Sequence, residues 1–185
     1  MTQELEVYTI GHSTLAIDDF IRLLRDNYIK VLVDVRSQPY SRFSPQFNHD
    51  LLRNAMNYAG IRYIFEGKDL GGRPADATCY KQGVVPPEGH ADYLKLVDYK
   101  QVMERAWYQQ AIERLLQVAG RNLTAIMCSE EDPMQCHRHH LIAQTLLARG
   151  VCVWHIRSDG RVEEAKPLPE VRALWELYGL LACWR

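Results

Sequence analysis

The 185-residue sequence has almost no charge imbalance, no long apolar run and no paired-cysteine motif, and each absence excludes a class of protein. Its 22 lysines and arginines against 23 aspartates and glutamates give a net charge of −1, so no chain-wide basic field indicates a nucleic-acid partner. A nucleic-acid partner would then depend on a local basic patch. The apolar runs are far shorter than the roughly 20 residues of a membrane-spanning helix, so we expect no membrane partner.

The cysteines lack the pattern of a disulfide-stabilised secreted protein. There are five of them, an odd number, and they are scattered along a chain that begins without a basic-then-apolar leader. We therefore expect reduced thiols and a cytoplasmic location. With 47% hydrophobic residues, a chain of this length buries enough surface to fold without a disulfide or a metal, and we predict one domain over residues 1–185.

Strand-like and helix-like patterns alternate along the chain. The predicted strands are residues 7–10, 30–35, 61–65, 123–127 and 151–156. Amphipathic segments separate them, and the turn at 158–160 predicts a hairpin followed by a closing helix at 169–181. The alternation predicts a Rossmann-like, three-layer α/β fold, with a mostly parallel sheet of about five strands and a C-terminal hairpin and helix.

Three segments carry more specific expectations. Residues 66–90 are rich in glycine, proline and polar residues, which suggests a lid, and residues 91–118 form a helix in one or two pieces. Residues 136–148 form another helix, which the capping pattern after Asp132 allows to begin at Pro133. The closing helix packs on a sheet face or on a second subunit, so it is the candidate contact of a homodimer.

Polar clusters follow four of the predicted strands. They lie at residues 11–13, 34–42, 70–73 and 128–138. Because ligands of an open α/β sheet bind outside the carboxyl ends of its strands, these clusters predict one ligand site. Guanidinium groups suit phosphate and carboxylate, so we expect an anionic small molecule such as a nucleotide, or nucleic acid. Four arginines reach this edge: Arg36, Arg42, Arg73 and Arg138.

The same clusters contain candidates for catalysis and binding. The helix dipole near Cys136, with Arg138 or protonated His137, would lower the pKa of its thiol. Glu130 beside a second carboxylate would have a raised pKa and could move a proton near neutrality. The candidate catalytic residues are Glu130, Cys136, His12 and Cys128. The candidate substrate-binding residues are Ser13, Arg36, Arg42, Gly72, Arg73, His137 and Arg138.

Structural roles are the alternatives for each of these residues. The arginines can pair with Asp34 or with the carboxylates at 130–132, and His12 and Ser13 can tie their turn to a neighbouring strand. Free cysteines are often small buried apolar groups.

Three thiol chemistries can be compared with this pattern. A Cys-x5-Arg phosphatase loop fails, because Met134 and Ile142 stand where arginine is required. The segment 33–36 and Cys128 are similar to a rhodanese-like sulfurtransferase, but residues 129–135 contain no glycine for an amide cradle. Soft metal ligands are present without a Cys-x2-Cys or His-Glu-x2-His spacing, so we assign no metal and no cofactor. These ligands are Cys128, Cys136, His137, His139 and His140.

Five short blocks, in order, carry a family resemblance. They are TIGHS at 9–13, VDVR at 33–36 with Pro39 and Ser41, LGG at 70–72, MCSE at 127–130 and CHR at 136–138. The sequence resembles the bacterial and archaeal domain-of-unknown-function family 488 from Val7 to about Ile156. The resemblance implies a single cytoplasmic α/β domain with motif positions at His12, Ser13, Arg36, Gly72, Glu130, Cys136, His137 and Arg138.

The resemblance implies no reaction, so the expected chemistry comes from the residues. We expect an enzyme, a hydrolase or a transferase, that binds an anionic substrate at the strand edge. The alternatives are a non-catalytic nucleotide or nucleic-acid binding module, and a thiol-based sulfurtransferase, redox or metal-binding protein.

Overall fold

The β-branched segments form the sheet that the alternation predicts. In the computed structural model, which describes residues 4–87 and 92–169, six strands lie in the order β3-β2-β4-β1-β5-β6. The strands are β1 (Glu6–Gly11), β2 (Val31–Asp34), β3 (Arg62–Phe65), β4 (Thr124–Cys128), β5 (Cys152–Ile156) and β6 (Val162–Glu164). The pairs from β3 to β5 are parallel, and β6 returns antiparallel to β5 as the predicted hairpin.

Helices cover both faces of this sheet. They are α1 (Ile17–Asp26), α2 (His49–Ala59), α3 (Gly67–Leu70), α4 (Tyr93–Leu96), α5 (Tyr99–Met103), α6 (Ala106–Ala119) and α7 (Gln144–Ala148). Strand β2 is buried along its whole length because alternate side chains enter opposite layers. Val31 and Val33 pack with α6 and α7, whereas Leu32 packs with α1 and α2. The predicted three-layer α/β fold is confirmed.

The helical region before β4 is more broken than predicted. Instead of one or two pieces, the described part of 91–118 contains α4, α5 and α6. Val97 interrupts it because its backbone is extended and bridges Tyr80, and the Asp98 carboxylate then caps α5 through the amides of Lys100 and Gln101. The break brings a buried part of the preceding loop against the helical layer.

The helix after β4 begins later than predicted, and the expectation that it starts at Pro133 is wrong. Asp132 caps only a short 3-10 turn, Pro133–Gln135, and Cys136 is extended, with φ −137° and ψ 142°. A π-helical segment, Arg138–Ala143, then runs into α7. Cys136 therefore lies before the helix and not inside it.

The remaining segment predictions have different outcomes. In the predicted lid, α3 and a 3-10 turn are anchored by the buried side chains of Leu70, Cys79 and Tyr80, and its motion stays a prediction. The closing helix predicted at 169–181, with the dimer contact assigned to it, lies outside the described residues from residue 170 onward. Within the described ranges, no helix combines the length and apolar character needed to cross a membrane.

Candidate functional site

A pocket of about 310 Å³ opens where β2 and β4 end side by side. The chain leaves these two neighbouring strands in opposite directions, towards β3 and towards β5, which makes the gap between them the topological switch point of the sheet. Candidate residues from three of the four polar clusters line it. They are Arg36, Gly72, Arg73, Cys128, Glu130, Cys136 and His137.

The floor of the pocket holds four reactive side chains in contact. We name Cys128, Glu130, Cys136 and His137 the floor cluster. Cys128 is the last residue of β4, and its thiol donates a hydrogen bond to Oε2 of Glu130 at 3.0 Å. Nδ1 of His137 lies 3.7 Å from Sγ of Cys128 and 3.8 Å from Sγ of Cys136. The cluster thus combines two thiols, one imidazole and one carboxylate.

The ring of His137 is held in one orientation. Its Nε2 lies 3.1 Å from the carbonyl oxygen of Val35, which can only accept a hydrogen bond. Nε2 therefore carries a proton, and Nδ1 faces the sulfurs. Gly72 packs against the ring, since a Cβ there would lie 2.7 Å from Cγ and 2.8 Å from Nδ1 of His137. Burial by itself lowers the pKa of His137, but the neighbouring Cys136 and Glu130 raise it above its ordinary value.

The expected activation of Cys136 by a helix dipole is wrong. Cys136 is extended and only 1% exposed, and its neighbour Arg138 directs its guanidinium elsewhere. Burial, with a further contribution from Cys128, raises the pKa of the Cys136 thiol well above its usual range.

The expected proton-holding role of Glu130 also needs correction. Partial burial raises the pKa of its carboxyl, but hydrogen bonds from Cys128, its own amide and Cys136 outweigh this and lower it. No second carboxylate opposes it, because Glu131 pairs with Arg157 at 2.9 Å and Asp132 accepts from the Met134 amide. Glu130 is therefore an ionised acceptor at neutral pH.

Two of the four arginines are bound within the protein. Arg36 donates to both carboxylate oxygens of Asp34, at 2.9 and 2.6 Å, and to the carbonyl of Phe47. Arg138 is fully buried and donates to the carbonyls of Glu130 and Glu131. These contacts fix the loops that carry the floor cluster.

The other two arginines are exposed. The Arg73 guanidinium lies 4.3 Å above the ring of Tyr93 at the pocket mouth. Asp92, which also lines the pocket, pairs with Lys95, and Asp76 of the lid pairs with Arg105. Arg42 lies over Phe43, outside the pocket lining.

The turn after β1 is hydrogen bonded to the end of β4 and to the residue that follows it, and it lies outside the pocket lining. His12 is 2% exposed, stacks on Phe47 and lies between Ser13 and Arg36, with Nδ1 2.8 Å from the Ser13 carbonyl and Nε2 3.3 Å from Nη1 of Arg36. Burial lowers its pKa to about 4. Ser13 has a φ of 44°, and its amide donates to the Ser129 carbonyl. Neither His12 nor Ser13 lines the pocket, and their catalytic and binding roles stay predictions.

Sequence reasoning missed Tyr99. Its side chain lines the pocket, and among the described residues its buried hydroxyl has no hydrogen-bond partner. Burial, Cys136, Cys128 and Glu130 all raise its pKa, so it is a neutral donor beside the floor cluster. The available signal was Asp98, a helix-capping residue that places Tyr99 at the start of a new helix.

Fold and site define an α/β protein with a thiol, imidazole and carboxylate pocket at the switch point of its sheet. A family model described as a domain of unknown function, DUF488, matches residues 16–145, and the chain belongs to that family. The match confirms the resemblance, although it begins after the TIGHS block. Neither a curated protein nor a solved structure matches the chain.

Proposed function

We propose that this protein is an enzyme that binds a small anionic substrate in the pocket and converts it at the floor cluster. The observation that carries the proposal is the open pocket in which the Cys128 thiol donates to the ionised Glu130, 3.0 Å away. A carboxylate that accepts a hydrogen bond from a thiol polarises the S–H bond and makes the sulfur more nucleophilic. Reactive groups at a switch point are typical of an active site.

The anionic substrate is supported by Arg73. Arg73 is exposed, lines the pocket and has its guanidinium carbon 4.3 Å from the centroid of the Tyr93 ring, so its N–H groups can reach a ligand. Guanidinium groups recognise phosphate and carboxylate through paired hydrogen bonds. The neutral Tyr99 hydroxyl supplies a further donor deeper in the pocket. A phosphate-bearing molecule, such as a nucleotide, fits a pocket that has the cationic Arg73 at its opening and the floor cluster at its base.

A non-catalytic binding module is the second candidate, and one observation favours it. Tyr40 and Phe43 are 71% and 86% exposed, and Arg42 lies over Phe43 beside the pocket. Exposed aromatic rings with an arginine suit stacking on nucleobases. On this hypothesis the protein binds a polyanion whose affinity falls steeply with salt and releases it unchanged.

A thermal-shift screen across nucleotides, sugar phosphates and thiol donors tests the proposal, because a ligand of the native state raises the unfolding temperature. For a ligand found in this way, Arg73→Gln should weaken binding about 10- to 100-fold, the effect of one charge-assisted contact. Arg22→Gln is the control, since Arg22 is exposed on α1 and remote from the pocket. Equal affinity of the two variants would contradict the proposed site.

A further inference from the structure

Three potential metal-ligand atoms of the floor cluster lie close together. Sγ of Cys128, Sγ of Cys136 and Nδ1 of His137 all lie within 4.8 Å of one another, and all three residues are buried. Tetrahedral zinc with Zn–S bonds of about 2.3 Å and a Zn–N bond of about 2.0–2.1 Å holds sulfur and nitrogen about 3.5–3.6 Å apart. The observed separations of 3.7 and 3.8 Å match this spacing closely.

The surroundings of the three donors also suit a metal. A metal-bound histidine usually donates its other ring N–H to a carboxylate or a carbonyl, as Nε2 of His137 does to Val35. The backbone amide of Arg138 donates to Sγ of Cys136 at 3.5 Å, which stabilises a sulfur that carries negative charge. These contacts orient the lone pairs before any ion binds.

Metal binding would convert two thiols into thiolates beside an ionised carboxylate, and the nearby arginines do not balance this charge. Two thiols and an ionised carboxylate lie together, while the nearby Arg36 is engaged by Asp34 and Arg138 by backbone carbonyls. Thiolates at this floor would repel the anion that Arg73 favours at the mouth. A divalent cation removes this conflict and makes the floor attractive to an anion.

We propose that Cys128, Cys136 and His137 bind one Zn²⁺ and leave its fourth position open to the pocket. Two thiolates and one imidazole are typical zinc ligands, and three protein ligands with an open position characterise catalytic zinc. Glu130 is not one of the three converging donors, but it lies against Cys128. A water in the open position would transfer a proton to the Glu130 carboxylate and remain as metal-bound hydroxide.

No spacing rule reveals this site, because its ligands come from separate pieces of backbone. Cys128 ends a strand, whereas Cys136 and His137 follow a 3-10 turn that folds the loop back over the strand end. Metal binding stands on this geometry alone, and only the role of the metal in turnover rests on the proposed function.

Cobalt titration of the full chain, kept reduced and stripped by a chelator, tests the site. We expect one Co²⁺ per chain, with sulfur-to-cobalt charge-transfer absorption that Zn²⁺ removes by displacement. Cys136→Ser and His137→Gln should lose this stoichiometric binding. Cys152→Ser should keep it, because Cys152 lies at the start of β5, outside the cluster.

The wild-type chain provides a test that does not depend on how the variants fold. Zn²⁺ should protect Cys128 and Cys136 from a thiol reagent, and the chelator should restore their reaction. A wild-type spectrum without sulfur-to-cobalt bands would overturn the site, as would binding that Cys136→Ser leaves intact.

The metal inference and the proposed function can fail separately. Stoichiometric zinc without any anionic ligand would contradict the proposed function and leave the metal site standing. Full turnover by the stripped protein would remove the metal from the chemistry and leave the enzyme proposal standing.

Discussion

The turn after β1 and the loop after β4 carry similar side chains in opposite situations. In the turn, both nitrogens of His12 have partners within the protein, and the adjacent Arg36 is held by Asp34. In the loop, Nδ1 of His137 faces two sulfurs at the floor of an open pocket. His12 and Arg36, whose polar side-chain atoms have partners within the protein, support the structure around the pocket. Nδ1 of His137, which faces only sulfur atoms, is available to a ligand.

The largest expected effect on stability comes from breaking the buried ion pair between Arg36 and Asp34. Arg36→Met leaves the Asp34 carboxylate buried. Its remaining partners among the described residues are then the Tyr63 hydroxyl and the backbone amide of residue 36. The change should lower the free energy of unfolding by about 3–5 kcal/mol. Urea denaturation measures this loss. Arg22→Met, which breaks an exposed pair, should leave the midpoint unchanged. If Arg36→Met kept its stability and lost ligand binding, Arg36 would belong to the site instead.

We expect a smaller effect at His155, a second buried histidine with hydrogen-bond partners, where the free energy of unfolding should depend on pH. Nδ1 of His155 lies 2.7 Å from Oγ1 of Thr9, and burial lowers the pKa of His155 to about 3. The unfolded chain binds this proton near pH 6.5, so the stability from neutral His155 is complete above pH 6.5 and decreases as the pH falls towards 3.

The measurement is the free energy of unfolding at several pH values in that window. His155→Gln should reduce the slope by up to about 1.4 kcal/mol per pH unit. His49→Gln, at the partly exposed start of α2, is the matched control for the substitution itself. An unchanged slope in His155→Gln would show that the buried ring accepts a proton in the folded protein.

The smallest effect on stability, and the largest on turnover, is expected at the floor. Cys128→Ser keeps the size of the side chain, so it should change the free energy of unfolding by about 1 kcal/mol or less. It should abolish conversion of the substrate, because it removes a thiol of the reacting cluster. Unfolding curves and turnover of the same preparation separate the two effects. Full activity in Cys128→Ser would exclude the floor cluster as the reaction centre.

The sequence predicted the architecture and the meeting of several candidate residues at one edge of the sheet, because both depend on local patterns. The continuous apolar, β-branched run around Val33 indicates a strand covered on both faces, and such strands connected by helices are expected to be mostly parallel. Parallel strands place their carboxyl ends at one edge, which is where Arg73, Cys128 and Glu130 meet.

The features of the site that the sequence did not predict depend on tertiary hydrogen bonds. A capping pattern cannot show that Asp132 supports only one short turn, or that Cys136 is extended after it. The pairing of Arg36, but not Arg73, depends on which carboxylates folding brings near. The buried hydroxyl of Tyr99 likewise reaches the floor through a helix break that no periodicity shows.

The most direct test of the loop after β4 as the reaction centre is anomalous X-ray scattering at the zinc edge. The measurement uses crystals of the full chain grown with Zn²⁺. The expected result is one peak within bonding distance of Sγ of Cys128, Sγ of Cys136 and Nδ1 of His137. A peak confined to surface histidines such as His140, or no peak at the pocket floor, would contradict it.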